Sequence, residues 1–186
     1  MRLPFLFLFL FLAAQLSAQS KKDIKKYSIK SLTIENIEMI NGQEKKITDS
    51  FERYDSNGNV IEKKEFGKDG SFKLHESFKL NKNGLPVETV IYNEKGSVVS
   101  KTITVYDEEN NKREETLYSA GGQVMERTKF IRNSRGEKTS ELTYSAEGKL
   151  LRKVIFTYDK NGMRTERKTY DGSDKLISSK KYLYTY

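Results

Sequence analysis

The chain has 186 residues, with 34 Lys and Arg, 26 Asp and Glu, one His and no Cys. This length indicates one domain. Because cysteine is absent, a disulfide framework and a thiolate metal site are excluded, and a single histidine excludes a multi-histidine zinc site. A mean hydropathy of −0.73 excludes a helical membrane protein with more than one terminal apolar segment.

Residues 1–18 have the pattern of a secretory signal peptide. Met1 and Arg2 form a short positive region, residues 3–14 carry no charge, and the segment ends at the small residue Ala18. The apolar run is shorter than the ~20 residues that a membrane-spanning helix needs. We therefore expect cleavage after Ala18, export to the periplasm or the extracellular space, and no transmembrane segment in the mature chain. Residues 19–27, which contain four lysines, are expected to form a flexible basic leader.

A repeat of 26 residues occupies the rest of the chain. Turn residues recur at two positions of each copy, Asn57-Gly58 and Asp69-Gly70 being the first pair. An aromatic residue recurs in the middle of all five copies, at Phe66, Tyr92, Tyr118, Tyr144 and Tyr170. Several columns that stay in register over five copies identify a repeat architecture.

Each repeat is predicted to be a β-hairpin. Asn-Gly and Asp-Gly supply the positive φ that short hairpin turns need, and the intervening runs are rich in Thr, Ile, Val and Tyr. The sequence thus predicts an all-β fold for residues 28–186: a single antiparallel up-and-down meander of about twelve strands. Open sheets of more than ~10 strands curl or split, so a curled sheet or an open barrel is expected.

The repeat length also leads to a prediction about the two faces of the sheet. Because 26 is even, each column returns to the same face in every copy. The strand aromatics from Tyr54 onward carry even numbers, which predicts a single aromatic-rich face. Either these rings form the core, or they bind a ligand. The candidate ligand-binding residues are Tyr92, Tyr118, Tyr144 and Tyr170.

Two short segments resemble a known family. Phe156-Thr-Tyr158-Asp159-Lys-Asn-Gly162 and Tyr54-Asp55-Ser-Asn-Gly58 resemble the tyrosine–aspartate (YD) repeat of RHS-type secreted bacterial proteins. Tyr106-Asp107 keeps the dipeptide, whereas the copies that begin at Leu80 and Arg132 depart from it. The resemblance implies an exported, non-catalytic β-scaffold that encloses or displays a partner. This chain is too short for the large shell or a toxin domain, and no functional residue is carried over.

An enzymatic function has one candidate in the sequence. Glu62, Glu88, Glu114 and Glu166 form a column, and members two strands apart are separated by roughly 10 Å, near the spacing of an inverting glycosidase pair. A ladder of charges paired with Lys and Arg is the favoured interpretation, because catalysis needs one asymmetric site. We expect no catalytic residue, no metal site and no cofactor. Asp55 starts a calcium-loop-like spacing but lacks the glutamate at the twelfth position.

Charge and export together limit the partners. Removal of Arg2 with the signal peptide leaves a net charge of +7, and export disfavours nucleic acid as the partner. A protein or an anionic glycan of the envelope fits the same electrostatics. The sequence predicts an exported, non-catalytic binding or structural module. The alternatives are an outer-membrane β-barrel and, less favoured, a glycan hydrolase that uses paired glutamates.

Overall fold

The computed structural model describes residues 21–40 and 43–184. The predicted signal peptide and its cleavage site lie outside these residues. Within the described part, the elements in chain order are α1 (Lys21–Lys26), β1 (Ser31–Ile40), β2 (Gln43–Tyr54), β3 (Val60–Phe66), β4 (Phe72–Leu80), β5 (Pro86–Tyr92), β6 (Val98–Tyr106), β7 (Lys112–Ser119), β8 (Val124–Arg132), β9 (Lys138–Ser145), β10 (Leu150–Tyr158), β11 (Arg164–Asp171) and β12 (Leu176–Lys181).

The strands form one antiparallel sheet whose spatial order is the chain order, from β1 to β12. Among the described strands, each inner strand pairs with its two neighbours in sequence, whereas β1 pairs only with β2 and β12 only with β11, so the sheet is open. The predicted all-β meander of twelve strands is confirmed. None of the helices in the described ranges is long and apolar enough to cross a membrane.

The hairpin turns repeat one local geometry. In the first repeat turn, the amide of Asp55 donates to the carbonyl of Asn59 (2.9 Å), and the amide of Gly58 donates to the carbonyl of Asp55 (3.0 Å). Gly58 has a φ of +77°, in the left-handed region where a Cβ is unfavourable. Asn110 and Asp174 fill the same position with φ near +64° and +63°, since short polar side chains tolerate this conformation. The turn glycines in the sequence therefore set the strand boundaries.

The prediction of a single aromatic face is wrong. In every hairpin within residues 43–184, the pairing shifts by one residue next to the pair that closes the turn. In one such hairpin, Tyr92 pairs with Val98, but the preceding residue, Ile91, pairs with Ser100. The extra residue, Val99 in this hairpin, is a β-bulge. At the pair that closes the turn, both residues have even numbers. Beyond the bulge, every pair joins an even-numbered residue to an odd-numbered one. Directly opposed residues share a face, so even-numbered residues change face at every hairpin.

The strand aromatics therefore divide into two sets on opposite faces. We call the outer face the one that carries Phe66, Tyr92, Tyr118, Tyr144 and Tyr170. The inner face carries Tyr54, Phe78, Tyr106, Phe130, Phe156 and Tyr158.

The core lies on the inner face. Val154 (2% exposed) and Phe156 (6% exposed) are buried there, together with the threonines Thr104, Thr143 and Thr169. The outer face instead exposes apolar side chains such as Val105 and Ile131 at the ends of β6 and β8. A single sheet without a second layer can cover an apolar side chain only with neighbouring side chains, so the core is thin.

The region predicted as a flexible leader differs from that expectation. Residues 21–26 form α1, and the amide of Ile29 caps it by donating to the carbonyl of Ile24 (2.9 Å). Ile24 is only 3% exposed. A Cβ built on Gly58 would lie 2.7 Å from the backbone oxygen of Lys21, so α1 sits against the first repeat turn. One buried isoleucine fixes a segment whose lysines suggested a solvated tail.

Candidate binding surface

The four candidate tyrosines lie on the outer face, where each faces a basic or imidazole side chain. The register places Tyr92 opposite His75, Tyr118 opposite Lys101 and Tyr170 opposite Lys153. Tyr144 lies opposite Arg127 in the same way. The partner column also has a period of 26 residues. We call Tyr92, Tyr118, Tyr144 and Tyr170 the outer tyrosine row.

The contacts show how these pairs are held. The Nζ atoms of Lys101 and Lys153 lie 5.5 and 5.3 Å from the ring centroids of Tyr118 and Tyr170, within the range of a cation–π contact. The ring of His75 stacks on Tyr92 with centroids 4.5 Å apart. The hydroxyls of Ser77 and Tyr92 lie 3.0 Å apart and share a hydrogen bond. These three pairs therefore each present an ordered ring beside a polar, hydrogen-bonding group.

The row is regular and partly open. Its members lie on every second strand, which gives a spacing of roughly 10 Å at ~4.8 Å per strand. All four tyrosines are half-buried, which distinguishes them from Phe156 on the inner face. A regular series of half-exposed rings with adjacent cations can contact a long ligand at several equivalent points.

The glutamate column shares the outer face but has the environment of ion pairs. Glu62 accepts from Arg53 (2.8 Å) and lies 3.3 Å from Lys64, while Glu166 lies 2.9 Å from Lys168. Burial raises the pKa of Glu62, but the hydrogen bonds from Arg53 and Lys64 outweigh it and hold the pKa below its usual value. The hydrogen bond from Lys168 lowers the pKa of Glu166. A general acid needs the opposite shift.

Sequence reasoning missed the role of His75. Besides stacking on Tyr92, its Nε2 lies 3.1 Å from Glu62 Oε1. Its place in the column of Lys101, Arg127 and Lys153 was visible in the 26-residue spacing and could have identified it. Asp55, the start of the calcium-like spacing, accepts the amides of Asn57 and Asn59 at 2.8 and 2.9 Å and thereby stabilises its own turn.

A second aromatic arrangement occupies the inner face near the C-terminal end of the sheet. Lys138 Nζ lies 5.4 Å from the ring of Phe130 and 4.9 Å from that of Phe156. The guanidinium of Arg164 lies 4.6 Å from Phe156 and 5.9 Å from Tyr182. Rings and cations thus alternate from β8 to Tyr182, the residue that follows β12. This arrangement was not predicted, because the even-numbered rings were assigned to one face.

Burial of Glu76 on the inner face leads to a prediction about pH. Burial raises the pKa of this carboxyl, while Lys63, directly opposite, partly offsets the shift. A carboxyl whose pKa is raised on folding stabilises the fold at low pH, and this contribution is lost as pH rises through the folded-state pKa. We expect Glu76→Gln to raise the urea midpoint at pH 7 and to have little effect at pH 4. A lower midpoint at pH 7 would contradict this assignment.

Comparisons with known proteins find matches only among solved structures, at low identity and low TM-score. No family model matches the chain, and no curated protein is significantly similar to it. A solved structure of a protein of unknown function from Bacteroides fragilis is 14% identical and aligns 84% of this chain with 96% of that one, at a TM-score of 0.37. The Tc holotoxin pore of Photorhabdus luminescens is 10% identical over 83% of this chain, at a TM-score of 0.38.

A TcdB2–TccC3 structure is also similar, with 12% identity over 83% of this chain and a TM-score of 0.26. This chain spans about a tenth of the length of the toxin chains, 10% in one case and 11% in the other. At these scores the similarities assign no function. Membership of the YD-repeat family stays a prediction from the sequence motif.

Proposed function

We propose that this protein is an exported, non-catalytic binding module of the cell envelope or the extracellular space, and that its ligand is an anionic glycan lying along the outer tyrosine row. The observation that carries the proposal is the periodic pairing of tyrosine with a basic or imidazole partner on a partly open face, as at Tyr118 and Lys101. A polymer of regular repeat presents the same groups to each pair in turn.

The chemistry of one pair suits a sugar acid. A tyrosine ring offers a flat apolar surface with a polar tip, and its hydroxyl exchanges hydrogen bonds. An adjacent Lys or Arg gives charge-assisted hydrogen bonds to carboxylate or sulfate oxygens, which are about twice as strong as neutral ones. Lys101 and Lys153 are already held against their rings, so little side-chain entropy is lost on binding.

Repetition supplies affinity that one pair lacks. Once one sugar unit is bound, the next contacts its own pair as an intramolecular event at high effective concentration. Single pairs can therefore be weak while the whole row binds firmly. The lowered pKa values of Glu62 and Glu166 support a non-catalytic role, since these carboxylates stay ionised and paired.

Substitution in the row tests the proposal. The double variant Tyr118→Ala/Tyr144→Ala should weaken binding of the mature chain to acidic glycans on an array by roughly 10-fold or more, as loss of buried tyrosine contacts does in interfaces. Ile131→Ala is the matched control. Ile131 also lies on the outer face, but at the C-terminal end of β8 and away from the outer tyrosine row, and it is 44% exposed. It should bind like the wild type.

The variants are first compared by circular dichroism and urea denaturation, so that a folding defect is not mistaken for lost binding. Lys101→Gln, which keeps every ring, serves as a second variant and should also weaken binding. Unchanged binding in the double variant and in Lys101→Gln would overturn the assignment of the outer face. Hydrolysis of the bound glycan would overturn the non-catalytic role.

A further inference from the structure

Two of the five copies carry a lysine–glutamate pair on the inner face, and the last copy carries two cations at the same positions. In two successive copies a lysine at the start of an odd-numbered strand pairs with a glutamate three residues later. Lys112 Nζ lies 2.5 Å from Glu115 Oε1, and Lys138 pairs with Glu141 in the same way. In the next copy these positions are Arg164 and Arg167. The carboxylate that neutralises the column in β7 and β9 is thus replaced by a cation in β11.

A third cation lies beside this pair. The register places Arg167 directly opposite Lys180 on β12 and opposite Phe156 on β10, all on the inner face. Like charges directly opposite each other destabilise a sheet. Neither Arg167 nor Lys180 forms an ion pair with any described residue. Two carboxylates of the inner face have other partners: Glu141 binds Lys138, and Asp171 Oδ1 accepts the amides of Ser173 and Lys175.

Unsatisfied polar atoms occur at the same place. Three buried side-chain polar atoms of the described residues make no hydrogen bond: Nε of Arg132 at the end of β8, and Nε of Arg164 and Oγ1 of Thr169, which lie on β11 on either side of Arg167. Such atoms are uncommon in folded proteins and call for an explanation. Burial lowers the pKa of Arg164, but hydrogen bonding with Tyr158 and Tyr182 raises it by more, so the guanidinium stays charged.

We propose that Arg164, Arg167, Lys180 and Thr169 form a binding site for an oxyanion, a carboxylate, sulfate or phosphate group, on the inner face at the β12 edge. The site goes beyond the proposed glycan surface, since it lies on the opposite face of the sheet. Its donors match the ligand: guanidinium forks bind such groups through two parallel hydrogen bonds, an ammonium adds a point charge, and a hydroxyl donates a neutral bond. Because β12 is an edge strand with exposed side chains, the site is open at that side.

The test uses titration calorimetry of the full mature chain at low ionic strength, with inorganic phosphate and sulfate as separate probes, since both are too small to span the outer tyrosine row. At least one probe should bind with a stoichiometry of one. Arg167→Glu should weaken that binding roughly 10- to 100-fold, the loss expected for charge-assisted hydrogen bonds. This variant restores the cation–glutamate pattern that β7 and β9 already carry, so it is expected to fold.

Lys168→Glu is the matched control. It makes the same charge reversal on the same strand, one residue away but on the outer face, opposite Ser179 and Ile155. It should bind the oxyanion as the wild type does. Equal weakening in both variants would show a general charge effect and overturn the site, as would unchanged binding in Arg167→Glu or no binding of any probe by the wild type.

The two proposals fail independently. If Tyr118→Ala/Tyr144→Ala binds glycans normally while Arg167→Glu loses the oxyanion, only the outer-face function is wrong. If the opposite pattern is found, only the inner-face site is wrong.

Discussion

Phe156→Ala should be the most destabilising single truncation, with an expected loss of about 3–5 kcal/mol in the free energy of unfolding, the usual cost of deleting a core aromatic. Phe156 is 6% exposed on the inner face, next to Val154, which is 2% exposed. Its ring also supports Lys138 at 4.9 Å and Arg164 at 4.6 Å. The variant therefore leaves a cavity and removes the surface on which two cations pack.

Tyr118→Ala is the comparison for that measurement. Tyr118 is half-buried on the outer face, so its truncation should cost clearly less than that of Phe156. Urea denaturation of both variants gives the two losses on one scale. If Tyr118→Ala lowers the free energy of unfolding as much as Phe156→Ala does, the core is not confined to the inner face. The outer tyrosine row could then no longer be assigned as a ligand surface.

Gly172→Ala should destabilise by about 1–3 kcal/mol, the range for overpacking a filled site, or by more if the backbone cannot move. A Cβ at this position would lie 2.1 Å from the backbone oxygen of Leu150. The turn before β10 would have to shift. The same turn position holds Ala120 and Ala146 in earlier copies, so the repeat pattern alone predicts that alanine is tolerated.

Gly121→Ala gives the matched control in an equivalent turn. Its added Cβ would have Ser119 Oγ as its nearest atom, at 3.8 Å, and its φ lies outside the left-handed region. Replacing such a glycine reduces the entropy of the unfolded chain and stabilises by ~0.4–1 kcal/mol. The two glycine variants should therefore shift the urea midpoint in opposite directions. A tolerated Gly172→Ala would show that the turns at Leu150 and Gly172 are not in contact.

The sequence was sufficient for the strands and turns because both depend on local residue types. Positive φ at Gly58 and its counterparts requires glycine or a short polar residue, and that requirement is visible at each turn. The 26-residue period then gives the order of the strands, since short turns leave neighbours in the chain as neighbours in the sheet. Twelve strands and their antiparallel order follow from these two facts.

Which face each side chain occupies was not predictable from the period. A bulge such as the one at Val99 adds one residue to one strand and moves every later residue to the other face. No residue type in the sequence identifies that extra residue, so Tyr106 and Tyr118 were placed together although they lie on opposite faces. The pairing of Lys101 with Tyr118 was hidden for the same reason. The replacement of the column's glutamate by Arg167, however, is visible in the sequence once the Lys138–Glu141 pair is known.

The central claim is that the outer tyrosine row acts as a series of equivalent subsites, and the dissociation constant as a function of ligand length tests it most directly. Acidic oligosaccharides of increasing length are titrated into the mature chain under one salt condition. Affinity should rise with each length increment that reaches a further tyrosine, roughly 10 Å apart, and level off once the four positions from Tyr92 to Tyr170 are spanned. An affinity that does not change with ligand length would contradict the claim.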